Sequence, residues 1–272
     1  MLEKRPIALS VLWYAIAAAL AVLAVGPALW LLNIALQPSG QDMNSLTTRP
    51  TTANFAQAWT QGQMAQPLVN SVIVTAVRSV LNVLIAALAA YPLARMSFRG
   101  RDTVFVLLLA TMMIPEQVIV VPMFRIVVGM GLYDTLIAVI LPFSVSAFGI
   151  YLCRQAFMAI PEEVEEAARM DGAGSLRIWW SVILPLSAPT LATLGLFSMI
   201  GAWSELLWPL IVLQEQDKFT LPVAVNNLMG AFSTNIRAAY AGAVLALVPI
   251  ILLFIVAQRF LKTELFAGSV KG

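Results

Sequence analysis

The chain has 272 residues, 60% of them hydrophobic and 11% charged, with a formal net charge of +2 and a mean hydropathy of +0.87. A soluble domain carries about 25% charged residues, so this composition has too little polar surface for a soluble globular enzyme, and a charge so near zero does not suggest nucleic-acid binding. With no histidine and one cysteine, the chain lacks the imidazole of a Ser-His triad, a phospho-relay or an imidazole metal site, and it has no internal disulfide framework.

A membrane crossing needs roughly 20 apolar residues. Six stretches reach that length, about 7–36, 68–94, 102–123, 135–158, 183–213 and 239–261. They predict an all-α integral membrane protein with six transmembrane helices in a single domain over 1–272. The first stretch follows Lys4 and Arg5 and is expected to bend at Gly26-Pro27. It is far longer than the roughly 7–15-residue apolar core of a secretory signal, and it reads as an uncleaved span. The second opens at Asn70-Ser71 and ends in Ala90-Tyr91-Pro92-Leu93-Ala94-Arg95. It carries Arg78 in its interior, roughly 15 Å from the outer end at the helical rise. Asn33 and Asn82 are placed as interhelical hydrogen-bond donors.

The third stretch holds Ile114-Pro115 and Glu116; the fifth holds Trp203, Ser204, Glu205 and Trp208-Pro209-Leu210, with Trp208 suited to an interfacial belt. Ionisable groups inside spans are costly. Arg78 therefore either pairs with Glu116 or Glu205 as a structural element or snorkels to the outer surface, or these groups line a polar path with Trp203 and Ser204. Pro115, Pro122, Pro142, Pro185, Pro189, Pro209 and Pro249 interrupt or flank spans. They serve as kinks tolerated by neighbouring helices or as hinges, and the sequence leaves both open.

With the N-terminus inside, the inner segments hold Lys4, Arg5, Arg95, Arg99, Arg101, Arg154, Arg169, Arg177, Arg259, Lys262 and Lys271, against Arg49, Arg125, Lys218 and Arg237 outside. This bias and the even span count put both termini in the cytoplasm. The outer loops 37–67 and 214–238 are rich in Gln, Asn, Thr and Ser, a composition suited to meeting a partner outside.

The inner loop 159–182 carries signals of its own. Pro161 suits a first helical position, and Glu162, Glu163, Glu165 and Glu166 follow where the helix dipole favours negative charge. Glu165 is spaced to pair with Arg169, Gly172 to end the helix in a left-handed turn, and Ser175 to cap a second short helix bearing Leu176, Ile178, Trp179 and Trp180. The bland alternative is a solvated acidic loop with Trp179 and Trp180 as interfacial anchors. Against it, the small pair Ala167-Ala168 lets another surface approach closely, as a stubby helix filling a partner's groove requires.

Glu166-Ala167-Ala168, three residues, Gly172, nine residues, then Val182-Ile183-Leu184-Pro185 resembles the EAA signature of permease subunits of binding-protein-dependent ABC importers, with Val182 in place of the usual isoleucine. The extension Arg169-Met170-Asp171-Gly172-Ala173 is similar to the carbohydrate-uptake branch, the maltose and glycerol-3-phosphate type, and the likeness extends through Phe98-Arg99-Gly100-Arg101 to the closing Ala267-Gly268-Ser269-Val270-Lys271-Gly272. The resemblance implies a type I importer permease (MetI-like) fold in the cell membrane. It implies that Glu165, Glu166, Ala167, Ala168, Asp171 and Gly172 form the coupling element that docks on a cytoplasmic ATPase.

The implied partners are a second, non-identical permease subunit, two ATP-binding subunits, an extracytoplasmic solute-binding protein and membrane lipid, with no nucleic acid. Leu221, Pro222, Asn226, Asn227 and Asn235 of the outer loop are implied contacts of the binding protein. The chain has no G-x-x-x-x-G-K-[ST] sequence, its lysines being Lys4, Lys218, Lys262 and Lys271, so ATP and Mg are expected on the partner ATPase and no cofactor or metal on this chain. The expected role is non-catalytic: translocation of a sugar, oligosaccharide, polyol or glycerol-3-phosphate. A phosphorylated cargo calls for arginines along the path, and Arg78 is the single one there. An ion-coupled secondary transporter or channel is the alternative; it would rest on Arg78, Glu116 and Glu205 and leave the 159–182 loop without a purpose. A membrane-embedded enzyme would have little beyond Cys153 to work with.

Overall fold

The structure is a computed structural model. It describes residues 7–231 and 236–267, and the side chains of 13–230 and 236–255. Lys4, Arg5, Asn235, Lys271 and the closing 268–272 lie outside the described residues, as do the side chains of Arg259 and Lys262. The described elements are helical: α1 (Ile7–Ala35), α2 (Ala53–Gln61), α3 (Ala65–Arg95), α4 (Arg101–Thr111), α5 (Glu116–Gly129), α6 (Leu136–Ile140), α7 (Ala147–Met158), α8 (Glu162–Met170), α9 (Ser175–Ile178), α10 (Leu184–Leu186), α11 (Ala188–Ser204), α12 (Leu207–Val212), α13 (Leu221–Ala231) and α14 (Ile236–Ala267). A 3-10 turn at Leu141–Phe143 extends α6, and a π-helical turn at Trp179–Ile183 joins α9 to α10.

Three apolar spans are single helices long enough to cross a bilayer: Trp13–Ala35, Ala65–Arg95 and Ile236–Ile255. The first continues through Gly26-Pro27, where a bend was expected, as one unbroken helix with Pro27 inside. Where continuous helices were expected at 102–123, 135–158 and 183–213, the chain forms bent pairs, which bring the total to six if each pair is one span. The pair α4 and α5 bends by 100°, the α6 run and α7 by 44°, and the run Ser175–Leu186 and α11 by 78°. Each break has prolines at it. Pro115 precedes α5 in extended conformation (ψ 134°), Pro142 sits in the 3-10 turn, and Pro185 and Pro189 flank Ser187. Proline has no N–H to continue the ladder. The fifth stretch breaks again at Glu205-Leu206, before α12.

The chain divides into two compact units, Met1–Met64 with Val225–Val248, and Ala65–Ala224 with Pro249–Gly272. In the first, the last turn of α1 organises the polar segment after it. Asn33 Nδ2 donates to Ser45 O (3.1 Å) and its Oδ1 accepts from Thr47 N (2.9 Å). Asn33 thus holds a loop and bridges no helices, contrary to expectation. Buried Asn54 donates to Ala35 O and Gln37 O, both at 2.8 Å, and Arg237 donates to Gln41 O.

In the second unit α3 packs along α7 and α11. Small buried residues on α3, Ala86, Ala87 and Ala90, allow the close approach that packs helices when hydrophobicity cannot drive it. A Cβ at Gly149 of α7 would lie 3.1 Å from the Ala86 Cβ, so that crossing is tight enough to favour glycine. Around it Tyr91, Cys153, Phe157, Ile178, Trp179 and Leu194 close one apolar core. A second gathers Val74, Val127, Val139, Trp208 and Val212. Trp208 is no belt residue: it is buried and its Nε1 donates to Ala138 O (2.9 Å).

Candidate functional site

The loop 159–182 forms the two short helices expected, with shifts of one residue at their starts. Pro161 (ψ 141°) stands just before α8, and Gly174 occupies the cap position expected for Ser175, which is the first residue of α9. Gly172 has φ +81°, its N–H bonds Arg169 O (3.0 Å), and Ala173 N–H reaches back to Ala168 O (3.0 Å). This is a Schellman turn, which uses the orphan carbonyls of the last helical turn.

What fixes α8 is Arg95, the last residue of α3. Its Nε lies 2.8 Å from Glu165 Oε1, and the two side chains are 6% and 5% exposed. The N–H is angled off the oxygen, so the contact is an ion pair without an aligned hydrogen bond. Nη2 of the same guanidinium donates to Phe157 O (2.6 Å) and Ile160 O. One side chain therefore joins the ends of α3 and α7 to the first turn of α8. The expected pair of Glu165 with Arg169 is present at 3.6 Å, with Arg169 half exposed. Tyr91 Oη adds a 3.5 Å contact to Glu165 Oε2. Trp179 is core, its Nε1 donating to Ala87 O (3.2 Å), whereas Trp180 is exposed.

This packing sorts the motif. Glu165 is buried and Ala168 packs against the apolar core, while Glu166, Ala167, Asp171 and Gly172 remain open. Beside them stand Met170 (84% exposed), Leu176 and Trp180. Met170 carried no sequence signal beyond its place in the motif, and Arg95 stood out only as a basic residue ending a span. Its partner lies 70 positions further on, a separation no local pattern reveals.

The residues expected on the polar path separate. Arg78 and Glu116 line a cavity of about 490 Å³, and Trp203, Ser204 and Glu205 do not. Trp203 is buried, Ser204 Oγ donates to Ile200 O (2.7 Å), and Glu205 Oε1 accepts from Trp208 N (3.2 Å). Arg78 makes neither of the ion pairs its position allowed; its Cζ lies 4.5 Å from the Phe143 ring centre. Asn82 reaches across to Phe143 O at 3.5 Å.

In the segment expected as an outer loop at 214–238, Gln214 to Leu221 are held by contacts the sequence did not announce. Asn70 Nδ2 donates to Asp217 O (2.8 Å) and Phe219 O (2.9 Å), and Leu221 N donates to Ser71 Oγ (2.7 Å). Asp134 Oδ1 accepts from Gln214 N (2.8 Å) and Glu215 N (3.2 Å), and Lys218 Nζ lies 2.9 Å from Asp134 Oδ2 and 2.9 Å from Glu215 Oε2. Burial works against the Asp134 charge, but the two amides and the ammonium outweigh it and hold the carboxyl below its ordinary range. Hydrogen bonds to Glu215 and then Asp134 raise Lys218 above its own. Leu221 and Pro222 begin a helix instead of a loop. Leu221 is buried, Pro222 and Asn226 are half-buried, and Asn227 is exposed.

Comparisons with known proteins agree with the sequence resemblance. The arabinooligosaccharides transport system permease protein AraQ of Halalkalibacterium halodurans is 35% identical over 260 residues, covering 93% of this chain and 93% of that protein. The lactose transport system permease protein LacG of Rhizobium radiobacter is 31% identical, covering 95% of each. A crystal structure of a bacterial ABC transporter that imports the acidic polysaccharide alginate contains a chain of the same fold, with a TM-score of 0.80, 24% identity, and 95% and 98% of the two chains covered. Residues 82–266 match the family described as binding-protein-dependent transport system inner membrane component, and the chain belongs to that family.

Proposed function

We propose that this chain is a non-catalytic permease subunit of an ATP-driven importer that carries a sugar or oligosaccharide handed over by an extracytoplasmic binding protein. The carbohydrate class follows the relatives, which are permeases for arabinooligosaccharides and lactose. A second, non-identical permease subunit completes the pathway, both termini face the cytoplasm, and two ATPase subunits bind ATP and Mg.

The observation that carries this reading is the mounting of α8. It is held at its buried face by Arg95 and closed by the Gly172 turn, while Glu166, Ala167, Asp171 and the apolar Met170 and Leu176 stay open. A rigid short helix seated in an ATPase groove transmits domain closure to α3 and α7 as a push; a floppy loop does not. The outer segment of Leu221, Pro222, Asn226 and Asn227 is our candidate contact for the binding protein.

The test is solute-stimulated ATPase activity of the assembled complex. A Glu166→Ala, Gly172→Pro double variant is expected to lose that stimulation. A variant that assembles and couples normally removes the docking role.

A further inference from the structure

Arg78 carries a charge that no described residue answers directly. Its Nε and Nη1 are buried without hydrogen-bond partners, and among the described residues it forms no ion pair. Phe143 covers one face of the guanidinium. Buried N–H groups of a cation are expensive to leave unmatched, and the Arg78 side chain also lines open space of about 490 Å³. That volume lies within the roughly 300–1,000 Å³ range of small-molecule sites.

The lining indicates what fits. Asn82 lies one helical turn from Arg78 on α3, Glu116 opens α5 at the 100° bend, and Ser198 faces the same space from α11. Phe148 and Phe197 meet edge to face at 6.2 Å and supply an apolar wall. Donors, an acceptor and aromatic rings on one surface suit a molecule with many hydroxyls and an apolar ring face. Charge narrows the class. Arg78 and Glu116 line the space as one cation and one carboxylate, so an anionic solute meets Glu116, a cationic solute meets Arg78, and neither finds a net opposite charge.

We infer that this cavity is a solute subsite contributed by this chain, and that it holds an uncharged oligosaccharide. Arg78 and Asn82 donate to its hydroxyls, Glu116 accepts from them, and Phe148 and Phe197 cover a ring. The inference rests on the transport function proposed above and names its cargo class and one of its contacts.

The test uses the assembled transporter with binding protein. Raffinose, trehalose, arabinotriose and diacetylchitobiose, with trigalacturonate and glycerol 3-phosphate as charged probes, are first compared for ATPase stimulation. Ser198→Cys is then introduced with Cys153→Ala, which removes the one native thiol, and alkylation by N-ethylmaleimide is timed with and without each probe. The inference expects a neutral sugar to give the strongest stimulation and to slow alkylation. It also expects Arg78→Gln to raise about tenfold the concentration of that sugar needed to protect the Ser198→Cys thiol, the worth of one charge-assisted hydrogen bond. A charged probe that stimulates best, or a stimulating neutral sugar that leaves the thiol unprotected, overturns the subsite while the transport function stands. Stimulation by none of the six removes the function and the subsite with it.

Discussion

Replacing Arg95 by Leu should loosen α8 without disturbing the helices it rests on. The substitution strands a carboxylate that is 5% exposed and deprives Phe157 O and Ile160 O of a charged donor. Removing one member of a buried pair costs about 3–5 kcal/mol. Arg169, already 3.6 Å from Glu165 and half exposed, can swing in as a substitute, which places the expectation at the lower end, about 3 kcal/mol. At about 1.4 kcal/mol per factor of ten, amides of 162–172 should exchange roughly a hundredfold faster, while those of α11 keep their rates. Hydrogen exchange read by mass spectrometry on the detergent-solubilised protein measures both segments at once. Glu165→Gln should have a smaller effect, because Arg95 keeps its two carbonyls. The double variant Arg95→Leu, Glu165→Leu should recover part of the loss, since no charge is then left buried. If α8 amides exchange equally in Arg95→Leu and parent, or if the double variant shows the simple sum, the ion pair does not fasten this helix.

Gly172→Ala should cost about 1 kcal/mol, the penalty for a side chain in the left-handed region. The φ of +81° is the sole obstacle, as no atom lies within 4 Å of the added Cβ, so Gly172→Asn should restore most of the loss in a thermal-shift assay of the complex, and an unaffected Ala variant would contradict the strain argument. Asp134 gives a pH signature: its carboxyl is lowered in the folded state, so its contribution is complete above the ordinary Asp value near 4 and is lost as pH falls through the lowered one. The melting advantage of the parent over Asp134→Asn should therefore hold at neutral pH and shrink below about pH 4; a constant gap refutes the assignment.

The parts of this molecule legible in its sequence are those written locally. Uninterrupted apolar runs made α1, α3 and α14 readable, and Pro161, the acidic turn and Gly172 fixed α8 to within a residue. Prolines marked where the other spans break, but a 100° bend at Pro115 beside a 44° bend near Pro142 reflects what each half packs on, and proline itself does not encode that. The site was legible in its exposed half, Glu166 and Gly172. Its buried half depends on Arg95 meeting Glu165 across the fold. For the same reason Trp203 and Glu205, sequence neighbours of one another, belong to packing and capping, and the cavity draws on Arg78, Glu116 and Ser198 from three different helices.

The first helix shows how unevenly a chain like this is tied down. From Trp13 to Trp30 its residues are exposed save for a half-buried Gly26, and it becomes buried at Ile34 and Ala35, with Gln37 just beyond its end. It stands like a mast stepped at its foot. Within this chain, mutation along the shaft meets no demand beyond length and oiliness, while a change at Asn33 or Gln37 unmoors the polar segment lashed to its base.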